Sequence, residues 1–230
     1  MVEKRAVRRS YDSLAEAYAD ARGTNSPALE ALDRFRDSLP EPKRVLDAGC
    51  GGGAFLDRLP PGAVGLDLSR EQLRLARRKR PDAALVQADM VTLPFDDDSF
   101  DGVLAYWSLI HVPLAEHPAA VEEFARVLRP GGRLLLSEGT GPWVGETPDW
   151  LDGVGMAWEI AGEEATREHL RAAGFDVERV VGVPDALDEE DGDAEDNGEE
   201  SGEDDERGET DDGDEDGDLP WRVFDARLGE

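Results

Sequence analysis

VLDAGCGGGAF, residues 45–55, decides the fold. With the two residues before it, KRVLDAG reads as a buried strand that runs straight into a glycine-rich turn. Gly49, Gly51, Gly52 and Gly53 let such a turn tighten and bring its backbone close to a bound molecule. A short helix, AFLDRL, is expected next. AVGLDLS then reads as a second strand, with Asp67 near its end, 20 residues after Asp47.

The same grammar continues outward. Ser69 and Gln72 form a capping box at the start of the next helix. AALVQAD and DGVLAYW are a third and a fourth strand. Residues 118–128 carry Val121, Phe124 and Leu128 on one helical stripe, flanked by Ala120 and Val127, until Pro130, Gly131 and Gly132 stop the helix. RLLLSEG is the fifth strand, and a helix over 163–172 reaches a left-handed cap at Gly174. DVERVVGV and PWRVFDARL are strand-like. Upstream, residues 10–21 place Tyr11, Leu14, Ala15 and Tyr18 on one helix face. A second helix, capped by Ser26 with Pro27 at its first position, turns Leu29, Leu32 and Phe35 inward.

Repeated strand–helix units need helices on both faces of a mainly parallel sheet, so the fold class is α/β, one doubly wound domain over residues 1–230. Residues 1–39 read as a helical segment preceding the sheet. Residues 140–162 are less regular and hold Trp143, Trp150 and Trp158, either as a cover over a pocket or as padding against the body.

Charge is uneven. The chain carries 25 Lys and Arg against 54 Asp and Glu, a formal net of -29. Residues 185–218 alone hold 21 acids and one base, Arg207. The rest has 33 acids and 24 bases, a net of -9. The acidic stretch is free of aromatics and studded with glycine, so it reads as a disordered loop inserted between the last two strands. Arginine outnumbers lysine 22 to 3. A Lys-poor acidic surface of this kind resembles that of halophilic proteins, in which concentrated salt screens the repulsion. A nucleic-acid partner is disfavoured by the same charge, and a monomer or weak homodimer is expected. One cysteine, Cys50, excludes an internal disulfide and a cysteine zinc site. Histidines at 111, 117 and 169 lack ligand spacing, so no metal is expected. The absence of a long apolar run or leader-like start points to a soluble, cytoplasmic protein without membrane insertion.

A glycine turn followed by a strand-end acid suits a nucleoside cofactor, because a carboxylate there can accept both hydroxyls of a ribose. A nicotinamide dinucleotide fits poorly. The third glycine of G-x-G-x-x-G is absent, and Asp47 would sit badly beside a pyrophosphate while suiting an ammonium. No P-loop is present.

Four blocks in order, VLDAGCGGG, GLDLS, QADMVTLPFDDDSFDGVLAYWSLIHV and RVLRPGGRLLLSEG, resemble the class I S-adenosylmethionine-dependent methyltransferases. The likeness is to small single-domain enzymes of the ubiquinone- and menaquinone-biosynthesis kind. It implies a Rossmann-like, mainly parallel seven-stranded sheet with an antiparallel last strand. It also implies S-adenosyl-L-methionine as cofactor and a small-molecule methyl acceptor. Gly49, Cys50, Gly51 and Gly53 would line the methionine part, with Asp47 facing its amino group. Asp67 would hold the ribose with Leu68 beside the adenine, and Asp89 and Met90 would meet the adenine amino group and ring. Tyr106 would end the fourth strand beside the cofactor. Tyr11 and Tyr18, in YDSLAEAY, match the tyrosine pair of the family's N-terminal lid, which residues 1–39 would then form.

Several of these positions have a second reading. Leu68 and Met90 also suit the edge of a core, Asp47 a cap of the turn, and Tyr11 plain helix packing. Methyl transfer needs an in-line approach, and a base only if the acceptor is protonated. His111 is the candidate base, named with Tyr18 as the catalytic pair, with loop orientation as its other reading. His117 and His169 fall on helices and read as ordinary. Asp96, Asp97 and Asp98 read as surface charge. The rival of another class is a protein that binds the cofactor as a scaffold without turnover.

Overall fold

Val45–Ala48 (β1) is buried along its whole length, the pattern of a strand covered on both faces. The computed structural model describes residues 2–21, 27–41, 43–184 and 219–229. The acidic stretch 185–218 and Ser26 lie outside these described residues. Two helices precede β1, Lys4–Ala21 (α1) and Pro27–Ser38 (α2). After it come Val64–Asp67 (β2), Arg70–Lys79 (α3), Ala84–Gln87 (β3) and Phe100–Ala105 (β4). His117–Val127 (α4), Leu128–Gly139 (β5), Trp143–Leu151 (β6) and Val154–Ile160 (β7) follow. Glu163–Ala172 (α5), Phe175–Val183 (β8) and Trp221–Leu228 (β9) complete the chain.

Seven strands form one sheet in the order β3-β2-β1-β4-β5-β9-β8. The pairs from β3 through β5 are parallel, and β9 runs antiparallel between β5 and β8. The α/β fold with an antiparallel last strand is therefore as expected. Neighbouring residues feed opposite faces. Leu46, Val103 and Leu134 join the cluster with Val121 and Phe124 of α4 and Leu170 of α5. Val45, Leu104 and Leu135 join Leu32 and Phe35 of α2. Gly102 lets α2 come this close, since a Cβ there would lie 2.7 Å from the Phe35 ring. The order reverses between β1 and β4, and the glycine turn leaves β1 at that point, where open α/β sheets bind ligands.

Three local expectations are corrected. AFLDRL forms successive turns rather than a helix, closed by bonds such as Arg58 N to Phe55 O and Leu59 N to Leu56 O. Gly53 at φ +80° precedes it and Pro60 and Pro61 follow, leaving no room for a regular helix. Residues 143–160, read as less regular, are an antiparallel hairpin of β6 and β7. The first helix begins at Lys4, well before residue 10, and Val7 and Leu14 bury themselves against Met156 of the hairpin. Among the described residues no helix is long and apolar enough to cross a membrane.

Candidate functional site

The turn after β1 is fastened at both ends. Gly49 N and Cys50 N donate to the Leu66 carbonyl at 2.7 and 2.9 Å, and Gly53 N donates to Cys50 O at 2.9 Å. Gly49 has φ +88°, and a Cβ there would fall 2.3 Å from Ser108 Cβ, so only glycine fits. Cys50 is buried, and burial, then the nearby Asp47 and Asp67, pushes its thiol well above the ordinary range, which leaves it inert.

Asp67 closes β2 beside this turn. Its two oxygens each take one backbone donor, Gly51 N at 2.8 Å and Ser69 N at 2.7 Å. Burial pushes its pKa up to about 6, the two amides pull it down, and Asp12 on α1 pushes it up further. Ser69 caps α3 by accepting from Gln72 N at 3.1 Å. Only half of the expected capping box forms, because the Ser69 N–H is taken by Asp67, while the Gln72 amide donates to the Tyr11 carbonyl at 3.5 Å. Ser69 Oγ in turn donates to Asp12 at 2.6 Å.

Above the turn lies a cavity lined by Gly49, Cys50, Gly51, Asp67, Leu68, Asp89, Met90 and Tyr106. Tyr11, Tyr18 and His111 line it too, so it gathers most of the residues singled out from sequence. Asp47 and Gly53 stand outside this lining. Asp47 is buried beneath the turn, and Gly53 faces Ala76 of α3. Tyr106 donates to the Ala28 carbonyl at 3.0 Å, and burial pushes its phenol well up. Trp107 sits at φ +47°, held by its N–H to Ser137 Oγ at 2.6 Å.

His111 ends the 3-10 turn Leu109–His111. Its Nδ1 lies 3.2 Å from the Ala157 carbonyl of β7, and its Nε2 lies 2.8 Å from the Tyr11 hydroxyl. A carbonyl only accepts, so Nδ1 carries the hydrogen and Nε2 accepts from Tyr11. Tyr18 packs edge-on against Tyr11 at 5.2 Å and beside Trp150 at 5.7 Å, while Trp158 lies 6.1 Å from the His111 ring. Trp150 and Trp158 thus back the tyrosine pair, whereas Trp143 is exposed.

Three site residues escaped the sequence reading. Lys4 ion-pairs with Asp89 at 2.5 Å and with Glu116, tying α1 across the cavity. Asp12 docks the same helix on the first turn of α3. Gln72 lines the cavity with a buried Oε1 that has no hydrogen-bond partner among the described residues. Only the Y-D pair at 11–12 hinted at any of them.

Comparison with known proteins bears on the domain that holds this cavity. The methyltransferase domain family matches residues 46–136. The chain carries a methyltransferase domain, similar to the class I S-adenosylmethionine-dependent enzymes. A malonyl-[acyl-carrier protein] O-methyltransferase of Halorhodospira halophila is 33% identical over 76% of this chain and 59% of its own length. The 1,6-didemethyltoxoflavin-N1-methyltransferase of Burkholderia thailandensis, solved with bound 1,6-didemethyltoxoflavin and S-adenosylhomocysteine, superposes with a TM-score of 0.65 at 22% identity, covering 98% of this chain and 88% of that one. The [4+2]-cyclase SpnF shares the fold at a TM-score of 0.59 and 23% identity, over 87% and 80% of the two chains. The chain spans only 35%, 45% and 44% of the length of three further curated relatives.

Proposed function

We propose that the protein transfers a methyl group from S-adenosylmethionine to an oxygen, nitrogen or carbon nucleophile of a small molecule. One observation carries the reading: one cavity is lined by the glycine turn and Asp67 together with the Tyr11–His111 pair.

The residues present fit the cofactor. Each Asp67 oxygen is used by one backbone amide, which leaves lone pairs for two ribose hydroxyls. Gly49 lets the turn pass against Ser108 with its backbone lining the cavity, where the ligand's amino-acid part would lie. Gln72 Oε1 offers a further buried acceptor. Leu68 and Met90 would flank the adenine, with Asp89 at its amino group sharing a carboxylate already paired with Lys4. The bound cofactor supplies a methyl group already activated on a sulfonium.

The protein's own work is orientation and proton handling. The Ala157 carbonyl fixes the Nδ1–H form of His111 and leaves Nε2 basic toward Tyr11. An acceptor hydroxyl or ammonium then yields its proton to Tyr11 oxygen as the Tyr11 proton passes to His111 Nε2. Tyr18 and the tryptophans behind it give the acceptor side an aromatic wall, which favours an apolar or aromatic acceptor. The net charge of -29 disfavours nucleic acid.

The test is incubation with methyl-labelled S-adenosylmethionine and a panel of phenols, fatty acids, quinols and amines, read as labelled product. Label transferred by the wild type and lost in His111→Ala supports the reading. Cofactor binding with no product from any class supports the scaffold alternative.

A further inference from the structure

His117, the first residue of α4, is not the ordinary helix residue expected from sequence. It is completely buried, and so is Glu138 near the end of β5. His117 Nδ1 and Glu138 Oε2 face each other at 3.8 Å, and neither has a hydrogen-bond partner among the described residues. Their other atoms are engaged. His117 Nε2 lies 2.9 Å from the Val112 carbonyl, which only accepts, so Nε2 carries a hydrogen. Glu138 Oε1 accepts from Gly139 N at 2.9 Å, and the Ala161 amide is near enough to lower the carboxyl's pKa.

The hydrogen count between the two orphaned atoms then has one solution. With no proton, two lone pairs oppose each other around a buried charge, and with two protons both atoms are donors. One proton leaves one donor facing one acceptor, as a carboxylic acid opposite imidazole or an imidazolium opposite carboxylate, and the bond forms once the 3.8 Å gap closes to about 3 Å. Each form leaves the pair electrically neutral. We propose that His117 and Glu138 share a single proton and that this buried pair is a positioning element for His111.

The connections to His111 run through both residues. His117 holds Val112, the residue after His111. Glu138 holds Gly139 and lies near the Ala161 amide, and these two residues flank the β6–β7 hairpin whose Ala157 carbonyl fixes the His111 ring. Burial pushes Glu138 up to about 8 and His117 down, which puts the proton on the carboxyl at neutral pH. Two other titratable groups face the pair. His169 of α5, its ring 6.4 Å away, pushes His117 down, and Glu159 of β7 pushes it up. The positioning role rests on the methyl-transfer reading, whereas the shared proton does not.

Nitrogen NMR of the imidazoles tests both parts, since the chain has 3 histidines. The variants are Glu138→Gln, whose amide can donate to Nδ1 but cannot titrate, and Glu138→Leu, which can do neither. In the wild type His117 should shift in one step near pH 8, and Glu138→Gln should abolish that step while His111 keeps its Nδ1–H signature. In Glu138→Leu, folded by circular dichroism, His111 should lose that signature and become a tautomer mixture. A His117 titration unchanged in Glu138→Gln overturns the shared proton. An unchanged His111 in folded Glu138→Leu overturns the positioning role. Should Glu138→Leu not fold, His111 in the wild type above the step is the readout, and an unmoved signature overturns that role equally. S-adenosylhomocysteine binding to the same wild-type sample separates the two failures. Its absence overturns the positioning role along with the methyl-transfer reading, while the His117 titration still decides the shared proton.

Discussion

Lys4 Nζ lies 2.5 Å from Asp89 Oδ2, so the N-terminal helix is ion-paired to the carboxylate expected at the adenine. The pair is only partly exposed, at 22% and 31% of side-chain surface, yet water still screens it. Lys4→Met is expected to cost under about 1 kcal/mol of global stability. Amide exchange over residues 4–21 should nevertheless quicken several-fold, because one of the fastenings of α1 is gone. Exchange unchanged in the variant would mean that the ion pair does not hold the helix.

Asp67 makes cofactor affinity depend on pH. Ribose hydroxyls donate to the ionised carboxylate, and burial holds the free protein's pKa up at about 6. Affinity for S-adenosylhomocysteine should therefore be level above that pH and fall as pH drops through it. The limiting loss is roughly tenfold per pH unit. Asp67→Asn should bind weakly with no such slope. A wild-type curve flat from pH 7 to about 5 would show that ionised Asp67 is not the acceptor.

Gly49 has no room for a methyl group, with Ser108 Cβ 2.3 Å from where a Cβ would stand and φ at +88°. Gly49→Ala is expected to cost about 2 kcal/mol or more and to displace the turn. Salt-supported chemical denaturation and a ligand titration should both register the change. Wild-type values in both would refute the close approach of the turn to Ser108.

The Tyr11–His111 contact at 2.8 Å predicts a split between binding and turnover. His111→Ala should leave S-adenosylhomocysteine affinity within about twofold while lowering turnover on a protonated acceptor by roughly 100-fold. Tyr11→Phe should lower turnover by about tenfold, since the ring still packs but the relay is cut. Equal losses in affinity and rate would instead place His111 among the cofactor's supports.

A net charge of -29 makes self-repulsion the main salt-dependent contribution to stability. Raising KCl from about 0.1 M to about 2 M should lift the unfolding midpoint by roughly 5 °C or more. A midpoint independent of salt would show that ion pairs such as Arg126 with Glu123 and Asp97 already offset the repulsion locally.

The sheet and the glycine turn were legible because their signals are local. Val45–Ala48 and Phe100–Ala105 are buried on both faces, so they stand out as apolar runs. Asp67 closes another such run, where a charge needs partners. The hairpin was not legible. Gly145, Pro148, Gly153 and Gly155 interrupt its alternation, and its strands are stabilised by α1 rather than by their own pattern. The start of α1 was hidden for the same reason, since Val7 finds its apolar partners only across the fold. His117 and Glu138 carry no mark in sequence, because their chemistry arises from burial and from a 3.8 Å approach between separate elements.

The most direct test of the cofactor site is calorimetric titration of S-adenosylhomocysteine into the wild type and Asp67→Ala in about 2 M KCl. The account predicts micromolar binding by the wild type and a loss of roughly 100-fold or more in the variant, whose buried ribose acceptor is gone. No binding by folded wild type, or equal binding by both proteins, would contradict it.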